Sequence, residues 1–358
     1  MNTSIFQTES QLINILKVFL LLQVVIGHIL ALYLPPISNL NSSDLNQLFL
    51  VVIKVLFSFG RESAFAFIVL SGYLTASDFL NVRAKKRFIH LKSLLIKRIV
   101  RIYPILIIAL IFTFLLDFIG SNLFKLGIYH QNLMNYNFFE SFNFLIFIGN
   151  LFSLQPTVVN SFGSNGPLWT LGYLIQFYVL YLLLTTLFFQ KVRLQILISI
   201  IILIMLYFTG MKEFSVLFAT WLFGLLCRLY GNSFVDFFRI KSKVFLFSLS
   251  LGVVFLFFTA KLSGVLISAL IISLAVGLIV YLMKKSTTIM SINSFWGDVF
   301  YVVYAIHFPV IFIVMGFYFN YFNFQLGIAL MLLLIFVNLI FVALFSFLTM
   351  YVYKRFVG

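Results

Sequence analysis

The chain has 358 residues, 63% of them hydrophobic and 9% charged, with a formal net charge of +15. That much apolar surface exceeds what a soluble core of this length buries, and the apolar runs are continuous, so a soluble class and a β-barrel are both excluded and an all-α polytopic membrane protein remains. The single cysteine, Cys227, excludes an internal disulfide and a cysteine metal cluster, and the positive charge gathers between apolar runs, as in cytoplasmic loops facing anionic membrane lipid, with no nucleic-acid footprint.

The first apolar segment, 12–33, has no small-residue cleavage site and is too long for a signal peptide. It covers the roughly 30 Å of a bilayer core. Lys17 sits inside it and His28 lies eleven residues further on. Eleven helical steps return to nearly the same face about 16 Å along the axis, and Asn14 lies close to that face. An ionisable group within a span costs about 2.5–3.5 kcal/mol on insertion scales, so it faces protein or a watery cavity. Read by itself, Lys17 is equally a snorkelling residue and His28 a hydrogen-bonded packing residue.

Further apolar segments fall at 49–77, 102–119, 167–189, 194–209, 215–230, 244–260, 262–283, 299–319 and 326–351, with a shorter one at 142–154. Basic residues set the topology. Arg83, Lys85, Lys86, Arg87, Lys92 and Lys97 mark the second connection as cytoplasmic, and Lys191, Arg239, Lys284 and Arg355 belong on the same side. The alternation requires 120–166 to leave and return on the outer side, so 142–154 reads as re-entrant or interfacial. Ten spans follow, with both termini cytoplasmic. No internal repeat and no flexible linker appears, so residues 1–358 read as one membrane domain with no soluble C-terminal domain.

The second span carries FSFGRESAFAFIVLSGYL. Lys54 and Arg61, seven apart, share a helical face that Ser58 and Glu62 continue. Arg61 needs a partner at that depth, with Glu62 or another helix supplying it; the pair serves either catalysis or helix locking. Ser71 is open to two readings, nucleophile or small packing residue, and the Ser71–Tyr73 stretch permits close backbone approach.

In KRIVRIYP, Arg98 and Arg101 stand three apart on a helix entering from the cytoplasm. Their planar guanidiniums suit phosphate, and equally suit topology and lipid headgroups. Gln176 is an uncompensated amide in the span opened by PLWTLGYL, which begins with Trp169 near its start. His307 precedes Pro309, so backbone bonding is disturbed beside an imidazole; a kink and a satisfied buried histidine account for it as well. His90 and His130 fall in loops. The histidines are too scattered for a metal site, and no Walker A loop or GxGxxG occurs.

Five landmarks in order resemble the membrane acyltransferase-3 family, bacterial enzymes that O-acylate cell-surface carbohydrates. They are Lys17 with His28, the FIVLSGYL stretch (Phe67–Leu74), RxxRxYP (Arg98–Pro104), PLWTL with QFY (Pro167–Tyr178) and YxxYxIHFP (Tyr301–Pro309). They cover nearly the whole chain. The basic residue is often arginine in the family and is Lys17 here. Leu174 stands where WSLxxE relatives carry glutamate; either the acid is supplied elsewhere, with Glu62 a candidate, or this branch dispenses with it. The resemblance implies acyl-CoA, usually acetyl-CoA, as donor substrate with no permanently bound cofactor, and a hydroxyl of a surface or lipid-linked glycan as acceptor. It implies His28 as general base or transient acyl carrier, Lys17 steering donor charge or the carbonyl, and Arg98 and Arg101 holding donor phosphates. Arg61, Ser71, Tyr73, Trp169, Gln176 and His307 are the further residues for the substrate or its cavity. Two other classes compete: a glycan transporter or flippase whose path these charges line, and a non-catalytic membrane scaffold, which leaves the polar face of Lys17 and His28 unexplained.

Overall fold

The computed structural model of the chain describes residues 3–35, 37, 44–84, 89–124, 129, 138–187, 192–237, 252–253, 256–257, 259–285, 295–322 and 327–357. Every regular element among them is helical. In chain order these are α1 (Thr3–Tyr33), α2 (Leu45–Leu56), α3 (Gly60–Ala84), α4 (Ile89–Leu123), the single turn α5 (Phe138–Ser141), α6 (Phe144–Leu151), α7 (Trp169–Leu187), α8 (Val192–Phe208), α9 (Lys212–Phe237), α10 (Val265–Lys285), α11 (Phe295–Tyr321) and α12 (Ile328–Val357). A 3-10 turn, Gly166–Leu168, leads into α7.

Five helices among the described residues are long and apolar enough to cross a membrane: Ile13–Tyr33, Ile102–Leu123, Gly166–Leu184, Val299–Tyr321 and Ile328–Tyr353. They coincide with five of the apolar segments read from the sequence. Leu197–Phe208 and Val265–Ile279 are shorter apolar helices. The expected segment 244–260 falls mostly outside the described residues.

The expected second span, 49–77, is not one helix. It breaks between Leu56 and Gly60, with Phe57 at φ −106° and ψ 22°. The reason is local. The Ser58 hydroxyl donates to the Val55 carbonyl at 2.9 Å, a side-chain bond that competes with helix continuation, and Gly60 adds the lowest propensity short of proline. The carbonyl of Phe57 then rests against α1 at Gly27, where a Cβ would stand 2.5 Å from it. Lys54 and Arg61 therefore sit on separate helices and do not share a face. Lys54 Nζ instead donates to the carbonyls of Leu34 and Pro35, at 3.0 and 2.5 Å, satisfying acceptors left open where α1 ends.

The 142–154 segment contains only the eight residues of α6, too short to span. Asn143 caps it by accepting from Ile146 N at 3.0 Å. Asn150 closes the loop behind it, donating to the carbonyls of Ile146 and Asn160 and accepting from Phe162 N.

The chain forms two compact units. The first comprises Met1–Leu20, Arg61–Ile99 and Tyr173–Asn293; the second comprises Leu21–Gly60, Val100–Gly172 and Ser294–Gly358. In the first, α3 and α9 approach backbone to backbone: a Cβ on Gly72 would meet the Trp221 carbonyl at 1.9 Å, and one on Gly224 the Val69 carbonyl at 2.0 Å. Stacked aromatics, among them Phe177, Phe218 and Trp221, fill that unit. The second packs Ile29, Leu30, Tyr129, Phe308, Ile311 and Met315 into one core. Within it Asn338 of α12 donates to the Tyr33 hydroxyl at 3.2 Å.

Candidate functional site

The second unit brings the two intramembrane histidines together. His28 of α1 and His307 of α11 stack with ring centroids 5.4 Å apart and planes 26° from parallel. Phe308 meets the His28 ring edge-on at 4.9 Å. His307 is fully buried, and its Nδ1 lies 2.8 Å from the Tyr304 carbonyl and 3.2 Å from that of Val303. Carbonyls only accept, so Nδ1 carries the proton and Nε2 is left as the bare acceptor. That Nε2 is buried with no partner among the described residues. His28 is partly buried and makes no hydrogen bond to a described residue. It is not the satisfied packing histidine that one reading of the sequence allowed.

Around the pair the polar groups are tightly held. Tyr304 and Thr170 share a 2.6 Å bond between hydroxyls, and Thr170 also donates to the Pro167 carbonyl. Asn165 Nδ2 donates to Thr113 Oγ1 and to the Ala305 carbonyl, both at 2.9 Å. Asp117 of α4 is fully buried and accepts from Ser164 N at 2.7 Å through Oδ2, while its Oδ1 has no partner among the described residues.

The sequence reading missed Asp117, Asn165, Thr170 and Tyr304 as site residues. Asp117 carried a signal: an acid inside the apolar run FTFLLDFIG is costly and points to function by default. Asn165 carried none, because an asparagine before Gly-Pro reads as a turn.

Lys17 lies in α1, counts with the first unit and is partly buried. Trp169 is the first residue of α7, partly buried, in the second unit. Arg98 and Arg101 lie within α4, with side chains outside those described.

The remaining residues gather in the first unit as three separate arrangements. Arg61 donates to Glu62 Oε1 through Nε at 2.9 Å and Nη2 at 2.7 Å, and Nη2 also reaches the carbonyls of Ala260 and Ser263. Arg61 thus has the Glu62 partner its depth requires. Ser71 is buried, 2.5 Å from the Tyr178 hydroxyl and 3.3 Å from Trp221 Nε1. Tyr73 receives Arg228 both as hydrogen-bond acceptor at 3.2 Å and beneath its guanidinium at 5.4 Å. Gln176 is partly buried and engages a neighbour, so the amide expected to be uncompensated is not. Leu174 is buried. No group of three or more His, Cys, Asp or Glu side chains converges among the described residues.

Chemically, the second unit holds one partly buried imidazole with no hydrogen bond to a described residue, stacked on a second imidazole fixed in one tautomer. A family model described as an acyltransferase domain matches residues 11–350. No curated protein matches, and no solved structure does.

Proposed function

Because this multi-pass membrane protein belongs to the acyltransferase-3 family and is an acyltransferase, we propose that it moves an acyl group, most simply acetyl, from acyl-CoA to a hydroxyl of a surface polysaccharide or its lipid-linked precursor. The observation that carries this reading is the state of His28: partly exposed, without a hydrogen bond to any described residue, and braced by His307.

A hydroxyl at neutral pH is a poor nucleophile, and a positioned neutral imidazole can take its proton as the oxygen attacks the thioester carbonyl. The C–O bond forms, the C–S bond breaks, and the departing thiolate takes up the proton that His28 holds. His307 Nδ1–H is committed to backbone carbonyls, which holds that ring with its π face towards His28, where the cation forms. An acyl-His28 intermediate obeys the same geometry.

Arg98 and Arg101 are assigned to the donor phosphates, and Lys17 to donor charge. Glu62, paired with Arg61 through Oε1, serves the first unit as a structural carboxylate, while Asp117 is a buried acid in the unit of His28. Ten spans with both termini cytoplasmic, in the cell membrane, agree with the distribution of basic residues. Incubating the purified protein with labelled acetyl-CoA and isolated surface glycan tests the reading: covalent label on the glycan supports it, and glycan movement without label favours transport.

A further inference from the structure

We propose that Asn165 is a positioning residue for the histidine pair, replacing a backbone donor that Pro309 removes; this rests on the catalytic reading of His28. In an α-helix the carbonyl of residue i accepts from the N–H of residue i+4. Residue 309 is proline inside α11, so the Ala305 carbonyl has no intrahelical donor. It lies at the helix turn that carries His307, and it is buried, where an unmet carbonyl is costly. Asn165 Nδ2 fills that vacancy at 2.9 Å. The neighbouring carbonyls of Val303 and Tyr304 take His307 Nδ1–H, so three successive carbonyls of this turn receive side-chain donors.

Asn165 is itself fixed from two directions. Its other amide hydrogen goes to Thr113 Oγ1, and Thr113 in turn donates to the Ala109 carbonyl. The adjoining Ser164 N–H is held by Asp117. Gly163 makes the approach possible: it has φ +57°, and a Cβ there would stand 2.3 Å from Asp117 Oδ2. The loop before α7 is thus pinned to α4 by Asp117 and Thr113, and pins α11 through one amide. The His307 ring, and the face it presents to His28, take their place from that amide.

The test is a double-mutant cycle of Asn165→Leu and Pro309→Ala in the full-length protein, read by the rate at which diethyl pyrocarbonate carbethoxylates His28, with N-acetylhistidine in the same reaction as reference. Leucine is of similar size and has no donor; alanine at 309 returns the backbone N–H to the Ala305 carbonyl. Asn165→Leu should raise the His28 rate by about fivefold or more, the size expected for coupled groups in contact. Pro309→Ala alone should leave it near wild type, and the double variant should return it there. If Asn165→Leu does not fold, the double variant should. A His28 rate that stays or falls in Asn165→Leu, or a rise that Pro309→Ala does not reverse, overturns the proposal. The outcome is separable from the enzyme reading: a wild-type protein that labels no glycan defeats that reading and leaves the cycle informative.

Discussion

His28 and His307 stack face to face, 5.4 Å between centroids and 26° from parallel. The N–H groups and lone pairs of an imidazole lie in its ring plane, so neither ring is aimed to hydrogen-bond the other. His307 therefore acts on His28 through its face, and the nitrogens of His28 remain free for substrate. The pair divides the work: one ring immobile and of fixed tautomer, one available.

Ser71 should prove structural. Its hydroxyl is buried between Tyr178 and Trp221, where an attacking nucleophile would have to give up both partners. Ser71→Ala should retain acyl transfer within about twofold and lose about 1 kcal/mol of stability, the usual worth of one buried hydrogen bond. Turnover and thermal unfolding in detergent measure the two; loss of turnover in a stable variant would make Ser71 a reacting group.

Arg98→Ala or Arg101→Ala should weaken CoA binding while the protein still inserts and purifies. Lysine should substitute poorly, because an ammonium cannot reproduce the bidentate guanidinium fork. Calorimetric titration with CoA measures this. Unchanged binding in both alanine variants would assign these arginines to topology and lipid.

Topology can be read by cysteine labelling after Cys227→Ser. Asn122→Cys and Asn160→Cys, both at exposed positions, should react with an impermeant maleimide in intact cells. Arg355→Cys, also exposed, should react only after permeabilisation. Labelling of Asn160→Cys only after permeabilisation would make the 142–154 region a true crossing, and the ten-span arrangement would fail.

Much of this architecture is legible in the sequence because hydrocarbon imposes it. The spans around His28, Thr113, Gln176, His307 and Asn338 are long unbroken apolar runs, and only a helix satisfies their backbone in lipid. The break at Phe57–Phe59 is not legible in that way: it depends on Ser58, Gly60 and the contact with Gly27. The pairing of Arg61 with Glu62 is local and could be read from adjacency. The meeting of His28 with His307 could not, since 279 positions separate them (307 − 28) and nothing in a single sequence reports which spans are neighbours. Asn165 is the extreme case: its use depends on a proline 144 positions later (309 − 165), and only the fold places the amide where the missing N–H would have been.

The most direct test of the central claim is acyl transfer by His28→Gln. Glutamine keeps hydrogen-bonding capacity and similar bulk but cannot shuttle a proton near neutral pH. With wild-type expression and CoA binding, transfer of labelled acetyl to glycan should fall by ~10²–10⁴, the usual loss for a general base. A His28→Gln protein that acylates glycan at the wild-type rate would contradict the account and leave His28 a packing residue.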